Sequence, residues 1–138
     1  MQQEGGKSGR FSGDCSNAVI GACIEVHRRL GPGLLESAYR VCLAHELSER
    51  GLQFEREQPL PVTYKGVQLE CGYRLDFVVQ SALIIEIKAV ESLSPVHGAQ
   101  LLTYLKLTGV RVGLLVNFNT NALRLGLRRL TLKQTKPS

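Results

Sequence analysis

The chain has 138 residues, 43% of them hydrophobic, and a net charge of +5 at neutral pH. That length supports one domain with a real core and is too short for two. The mean hydropathy is near zero and no apolar run approaches the length of a bilayer span, so no membrane association is expected. The basic balance permits a polyanionic partner without demanding one.

The first residues, Met1-Gln2-Gln3-Glu4-Gly5-Gly6-Lys7, offer no apolar stretch for a signal peptide. Four cysteines (Cys15, Cys23, Cys42, Cys71) show no C-x-x-C and no ligand-like spacing. Reduced thiols in a cytoplasmic protein are the expectation.

In chain order, residues 1–16 read as a disordered Gly/Ser/Gln-rich segment, 17–132 as a single folded domain, and 133–138 as a flexible tail. Asp14 or Ser16 is placed to cap a helix over 17–30. Its apolar stripe is Ile20, Cys23, Ile24 and His27, widened by Val19, Val26 and Leu30. His27 on that stripe reads as a hydrogen-bonded core histidine. Gly31-Pro32-Gly33 breaks the helix, and a second runs from Leu34 to Arg50, with Leu35, Ala38, Tyr39, Cys42, Leu43 and Leu47 inward and Glu36 and Arg40 beside them.

From Phe54 the period changes to extended. Phe54–Glu57, Pro61–Tyr64 and Val67–Glu70 read as strands, with Lys65-Gly66 as a hairpin turn. Tyr73–Val79 and Leu83–Lys88 read as a further strand pair around Gln80-Ser81, the first arm either continuous with Val67–Glu70 or separate from it. Ser94-Pro95 opens a helix through Leu107, closed by Thr108-Gly109. Val110–Val116 is a buried-strand run, Asn117–Asn121 a polar loop, and Ala122–Leu132 either a closing strand or a short helix followed by one. The order predicts a mixed sheet flanked by helices.

The informative stretch is Leu83-Ile84-Ile85-Glu86-Ile87-Lys88. Its apolar continuity marks a central strand, yet Glu86 and Lys88 lie on one side of it, two residues apart. Asp76, ten positions earlier, could lie alongside in an antiparallel hairpin. Buried charges of this kind must neutralise one another or hold a cation. Two carboxylates and the carbonyl of Ile87 are hard oxygen donors that suit Mg²⁺ or Mn²⁺. Such an ion makes a bound water more acidic, and Lys88 can orient that water or stabilise charge growing on phosphorus. A solvated Glu–Lys pair on a half-exposed strand is the alternative, but the apolar setting argues against it. Arg74, on the same strand face as Asp76, is either its ion-pair partner or a phosphate ligand.

Gly33-Leu34-Leu35-Glu36-Ser37-Ala38-Tyr39 matches the signature of the bacterial GxxExxY proteins. The resemblance extends through Ile24–His27, Tyr73–Asp76, Glu86–Lys88 and Gln100–Leu105. That family is placed in the PD-(D/E)XK nuclease-like superfamily. The resemblance therefore implies an α/β (α+β) restriction-endonuclease-like core, with Asp76 and Glu86 as metal carboxylates and Lys88 as the catalytic lysine. It also implies catalytic roles for Glu36, from the helix before the sheet, and Gln100, from the helix after it. Taken alone, Glu36 reads as a solvated first-turn carboxylate, and Gln100 and Tyr104 as i,i+4 neighbours that either point together at the site or border the core. The proline of the superfamily's name is absent, since Leu75 precedes Asp76.

A metal-dependent nuclease cutting phosphodiesters, with DNA favoured over RNA, is the first functional expectation. A nuclease-like binding or accessory module working through a partner is the second, and hydrolysis of a small phosphorylated substrate a third. The small size favours a partner or a homodimer. Arg124, Arg128, Arg129, Lys133 and Lys136 form a basic C-terminal run that is either a solvated face or a phosphate contact. Without aromatic interleaving, any nucleic-acid binding is expected to follow the backbone.

Overall fold

The change of period at Phe54 divides the protein into a helical pair and a sheet. The structure, a computed structural model, describes residues 15–133. The expected disordered segment and tail lie outside the described residues, apart from Cys15, Ser16 and Lys133. The elements are α1 (Ser16–Leu30), α2 (Glu36–Glu49), β1 (Phe54–Pro59), β2 (Val62–Tyr64), β3 (Val67–Leu69), β4 (Arg74–Val79), β5 (Leu83–Lys88), α3 (Pro95–Thr108), β6 (Val112–Asn117) and β7 (Leu127–Thr131), with a 3₁₀ turn at Leu123–Gly126. The closing segment is thus a short helix followed by a strand.

Among the described residues, five strands form one mixed sheet in the order β1-β4-β5-β6-β7. Only β5 and β6 run parallel, joined by α3; the other neighbours are antiparallel. β5 is therefore central. Leu83, Ile85 and Ile87 face a core built with Val19, Cys23, Tyr39, Leu43 and Leu47 of α1 and α2. Ile84 faces the opposite core, with Leu101, Tyr104 and Leu105 of α3. This two-sided cover is why the strand is apolar on both faces.

Local turn and cap chemistry sets two of the boundaries. Lys65 and Gly66 both take positive φ, 52° and 80°, as a two-residue hairpin turn requires. At the start of α3, Ser94 N–H donates to His97 Nδ1 at 3.0 Å, part of a capping box with Pro95 in the first turn.

Several details differ from the sequence expectation. α1 has Cys15, in left-handed conformation, at its N-cap, and Ser16 lies inside the helix, where its Oγ accepts from Arg129 Nε at 3.2 Å. The buried face of α1 is Val19, Ala22, Cys23 and Val26, while Ile24 is 51% exposed. The small Ala22 and Cys23 occupy the buried face, which turns Ile24 outward. Leu35 sits at the extended N-cap of α2, before the helical period begins, and is 78% exposed instead of packed on the sheet. β3 does not continue into β4: it pairs only with β2 as a separate hairpin, and Gly72, at φ 81°, breaks the strand between them. Among the described residues no helix is long and apolar enough to cross a membrane.

Candidate active site

The ladder between β4 and β5 pairs Phe77 with Ile85, Val78 with Ile84 and Val79 with Leu83. One more step in that register would set Asp76 opposite Glu86. There the backbone pairing gives way to the side chains. Glu86 Oε2 accepts from Asp76 N–H at 3.0 Å, and Asp76 Oδ2 accepts from Ile87 N–H at 2.7 Å. The two carboxylates thus replace backbone partners where the strands part. Both are buried, Asp76 at 9% and Glu86 at 6% exposure.

This opening is one wall of a cleft of about 360 Å³ lined by Arg40, Glu57, Tyr73, Arg74, Asp76, Glu86, Lys88, Gln100 and Tyr104, with Gly72 at its edge. Lys88 shares the Glu86 side of β5 by strand alternation. Its backbone is held tightly: Phe118 N–H donates to Lys88 C=O at 2.9 Å. The buried side chain of Asn117 bridges both the N–H and C=O of Val90 at 3.0 and 2.9 Å. Gly126 is required behind it, because a Cβ there would run into the Asn117 carbonyl oxygen.

Gln100 and Tyr104 of α3 both line the cleft. Burial, with the nearby Glu86, Tyr73 and Asp76, raises the Tyr104 pKa above its ordinary value. The ring meets Tyr73 edge-on at 6.1 Å between centroids.

Burial pushes Glu86 up to about 8, reinforced by repulsion from Asp76 and opposed by its hydrogen bond from the Asp76 backbone and by Lys88 and Arg40. A metal-free site therefore holds Glu86 largely protonated at neutral pH.

Glu36 is brought into this network indirectly. Its Oε1 accepts from Arg40 Nη2 at 2.9 Å, and Arg40 Nε donates to Asp76 Oδ1 at 2.9 Å. The Glu36 side chain does not line the cleft itself. Arg74 reaches the cleft mouth, but its ion pair is a 4.0 Å contact with Glu70, not Asp76.

Tyr39, the aromatic end of the GxxExxY stretch, is fully buried. Its hydroxyl donates to Gly31 C=O at 2.6 Å and accepts from Leu34 N–H at 3.2 Å, while its ring stacks on Phe118 at 4.6 Å. It fixes the loop that delivers Glu36 and Arg40. His27 is the expected core histidine, its Nε2 2.7 Å from Thr120 C=O. Of the basic C-terminal run, Arg124, Arg128, Arg129 and Lys133 do not line the cleft, and Lys136 lies outside the described residues.

Two cleft residues were not singled out from the sequence. Arg40 had only its i,i+4 spacing to Glu36 as a signal. Glu57 read as an ordinary strand residue. It falls between the Arg56–Phe77 and Gln58–Leu75 pairs, opposite Asp76, with a φ of 49° that takes it out of the ladder, and such backbone strain collects at functional sites.

The donor set fits a hard divalent cation. Two buried carboxylates face one cleft, and Glu86 Oε1 accepts no hydrogen bond among the described residues. No group of three or more His, Cys, Asp or Glu side chains there converges to hold a metal. The remaining coordination would thus fall to water and main-chain oxygen, as with Mg²⁺, and not to a zinc-type cage.

A mixed sheet between helices, with paired carboxylates and a lysine two residues beyond the second, defines a nuclease-type α/β domain. A family model of the PD-(D/E)XK nuclease superfamily matches residues 13–130, and the chain belongs to that superfamily. Membership supports a nuclease-like phosphodiesterase, from a group that generally uses divalent metals on nucleic acid. Neither the curated proteins nor the solved structures searched give a match.

Proposed function

We propose that this protein is a divalent-metal-dependent nuclease of the GxxExxY type that hydrolyses phosphodiester bonds, DNA being the preferred substrate. The observation that carries this reading is the convergence of buried Asp76 and Glu86 with Lys88 on one solvent-open cleft.

Asp76, Glu86 and the carbonyl of Ile87 are the residues that would hold Mg²⁺ or Mn²⁺. When bound, the cation supplies Lewis-acid stabilisation of phosphoryl charge and acidifies a water. Lys88 acts on the reacting phosphate: its ammonium stabilises the charge that grows on the non-bridging oxygens and orients the attacking water. Gln100, on the same cleft, offers a neutral amide to that space and fixes the water or phosphate in position. Arg74 at the mouth is free to meet a flanking phosphate, since its contact with Glu70 is long and exposed. Glu36 acts through Arg40 and not on the substrate.

The accessory-module reading has one observation in its favour: Arg40 already neutralises Asp76, and a salt-bridged carboxylate can persist without metal. The test is turnover of labelled single- and double-stranded DNA and RNA at matched ionic strength. Wild type is compared with Lys88→Ala and Asp76→Asn, with Mn²⁺ binding followed by calorimetry. Asp76→Asn should lose both metal and cutting. Lys88→Ala should keep metal binding and most nucleic-acid affinity, since it removes about one phosphate contact, while the rate falls by about 10²–10⁴. Equal, metal-independent background from all three proteins would refute the nuclease reading in favour of the module.

A further inference from the structure

We propose that Arg40 is a displaceable counter-ion, which neutralises Asp76 in the metal-free protein and gives up that carboxylate when a divalent cation binds. The inference rests on the metal-site reading above and extends it to a residue outside the carboxylate–lysine set.

Three observations carry it. The Arg40 guanidinium is divided between two carboxylates, Nε on Asp76 Oδ1 and Nη2 on Glu36 Oε1, each at 2.9 Å. It occupies the Asp76 oxygen that a cation in the cleft would need, since the other, Oδ2, is committed to Ile87 N–H. The two holds also differ in setting. The Glu36 contact is an i,i+4 pair within α2, between side chains 27% and 32% exposed. The Asp76 contact crosses from helix to sheet, onto a carboxylate with 11% side-chain exposure.

A cation at Asp76 would bring a second positive charge against the guanidinium, and repulsion would drive Arg40 off Oδ1. Glu36 remains as a tether, so the released guanidinium stays over the cleft with donors to spare. Glu36 is on this account a positioning residue. Arg40 also answers how an Asp–Glu pair is tolerated before metal arrives: it supplies the neutralising charge that burial demands. The cost is competition with the metal.

Calorimetric titration of Mn²⁺ into the full chain reads that competition directly. Arg40→Met should bind Mn²⁺ about tenfold more tightly or better, the effect of removing a charge-assisted bond from Oδ1. Arg40→Lys, which keeps the charge without the fork, should fall between it and wild type. Arg74→Met controls for the general field, since it removes a cleft cation that does not touch Asp76; its Mn²⁺ affinity should change less than about threefold. If Arg40→Met does not fold, Arg40→Gln carries the same expectation. Unchanged or weaker Mn²⁺ binding on loss of Arg40, or an equal gain in Arg74→Met, would overturn the proposal and leave the metal site standing. No binding by wild type or any variant would overturn both.

Discussion

Replacing Glu86 by Gln removes a carboxyl whose pKa burial, aided by the Asp76 charge, pushes up to about 8 from an ordinary value of 4.5. Between those values the folded protein holds a proton that the unfolded chain has released. That proton's contribution to stability is complete below about pH 4.5 and is lost as pH rises through about 8. The whole effect has a ceiling of about 5 kcal/mol. Gln at this position is always neutral, and its oxygen can still accept from Asp76 N–H.

Metal-free wild type should therefore lose stability from pH 5 to pH 9, while Glu86→Gln stays nearly flat. The variant should be the more stable of the two at the alkaline end. For a chain of this length each kcal/mol moves Tm by roughly 3–5 °C, so the separation is measurable even at a third of its ceiling. Melts in chelator across that range, expressed as the difference between the two proteins, cancel titrations elsewhere. Saturating Mn²⁺ should flatten the wild-type curve, since a cation favours the ionised carboxylate, and leave the variant unchanged. Parallel curves for the two proteins in chelator would refute the buried electrostatic conflict on which the metal argument stands.

Tyr39→Phe keeps the stack on Phe118 but strands Gly31 C=O and Leu34 N–H. It should cost about 1–2 kcal/mol in urea unfolding with Mn²⁺ affinity unaltered; loss of metal binding in a folded variant would instead put the tyrosine at the site. Brief alkylation of the native protein, read by mass spectrometry, should mark exposed Cys71 first. Cys23, whose thiol full burial pushes up to about 12, should resist until the protein unfolds, and the reverse order would contradict the packing of α1.

The legible parts of the fold are those where local chemistry decides. Lys65-Gly66 and Ser94-Pro95 each specify their own geometry within a few residues, and both are found as read. The misread parts depend on what a residue meets across the fold. Ile24 and Val26 are equally apolar and two positions apart in α1, and only the contact with α2 and the sheet decides which is buried. Leu35 fits the helical period of α2 but precedes its first turn. The gap between β3 and β4 was visible as Cys71-Gly72, yet a Gly can also sit in a bulge of a continuous strand. The nuclease-type site separates in the same way: Asp76, Glu86 and Lys88 announce themselves as charges in apolar strands, whereas Arg40 approaches from a helix with no local oddity.

The proximity of Asp76 and Glu86 depends on a single residue that the sequence reading passed over. Taking Gln80-Ser81 as a two-residue turn pairs Val79 with Ala82, and the same register would set Asp76 against Ile85 and Glu86 against Leu75. In the structure Gln80 and Ser81 do take positive φ, 52° and 55°, and Ala82 N–H does close on Val79 C=O at 2.9 Å. The ladder, however, pairs Val79 with Leu83. Ala82 is thus an extra residue that shifts every later pair by one. A one-residue slip in a strand exchanges its two faces, so this insertion puts both carboxylates on the same side and opposite each other. Below that point the strands part and the carboxylates take the N–H groups of Asp76 and Ile87. On the other side of β4, Glu57 leaves the β1 ladder at the same level. The backbone pairing therefore fails on both sides of Asp76. That opens the sheet at the cleft, where the side chain of Arg40 meets Asp76.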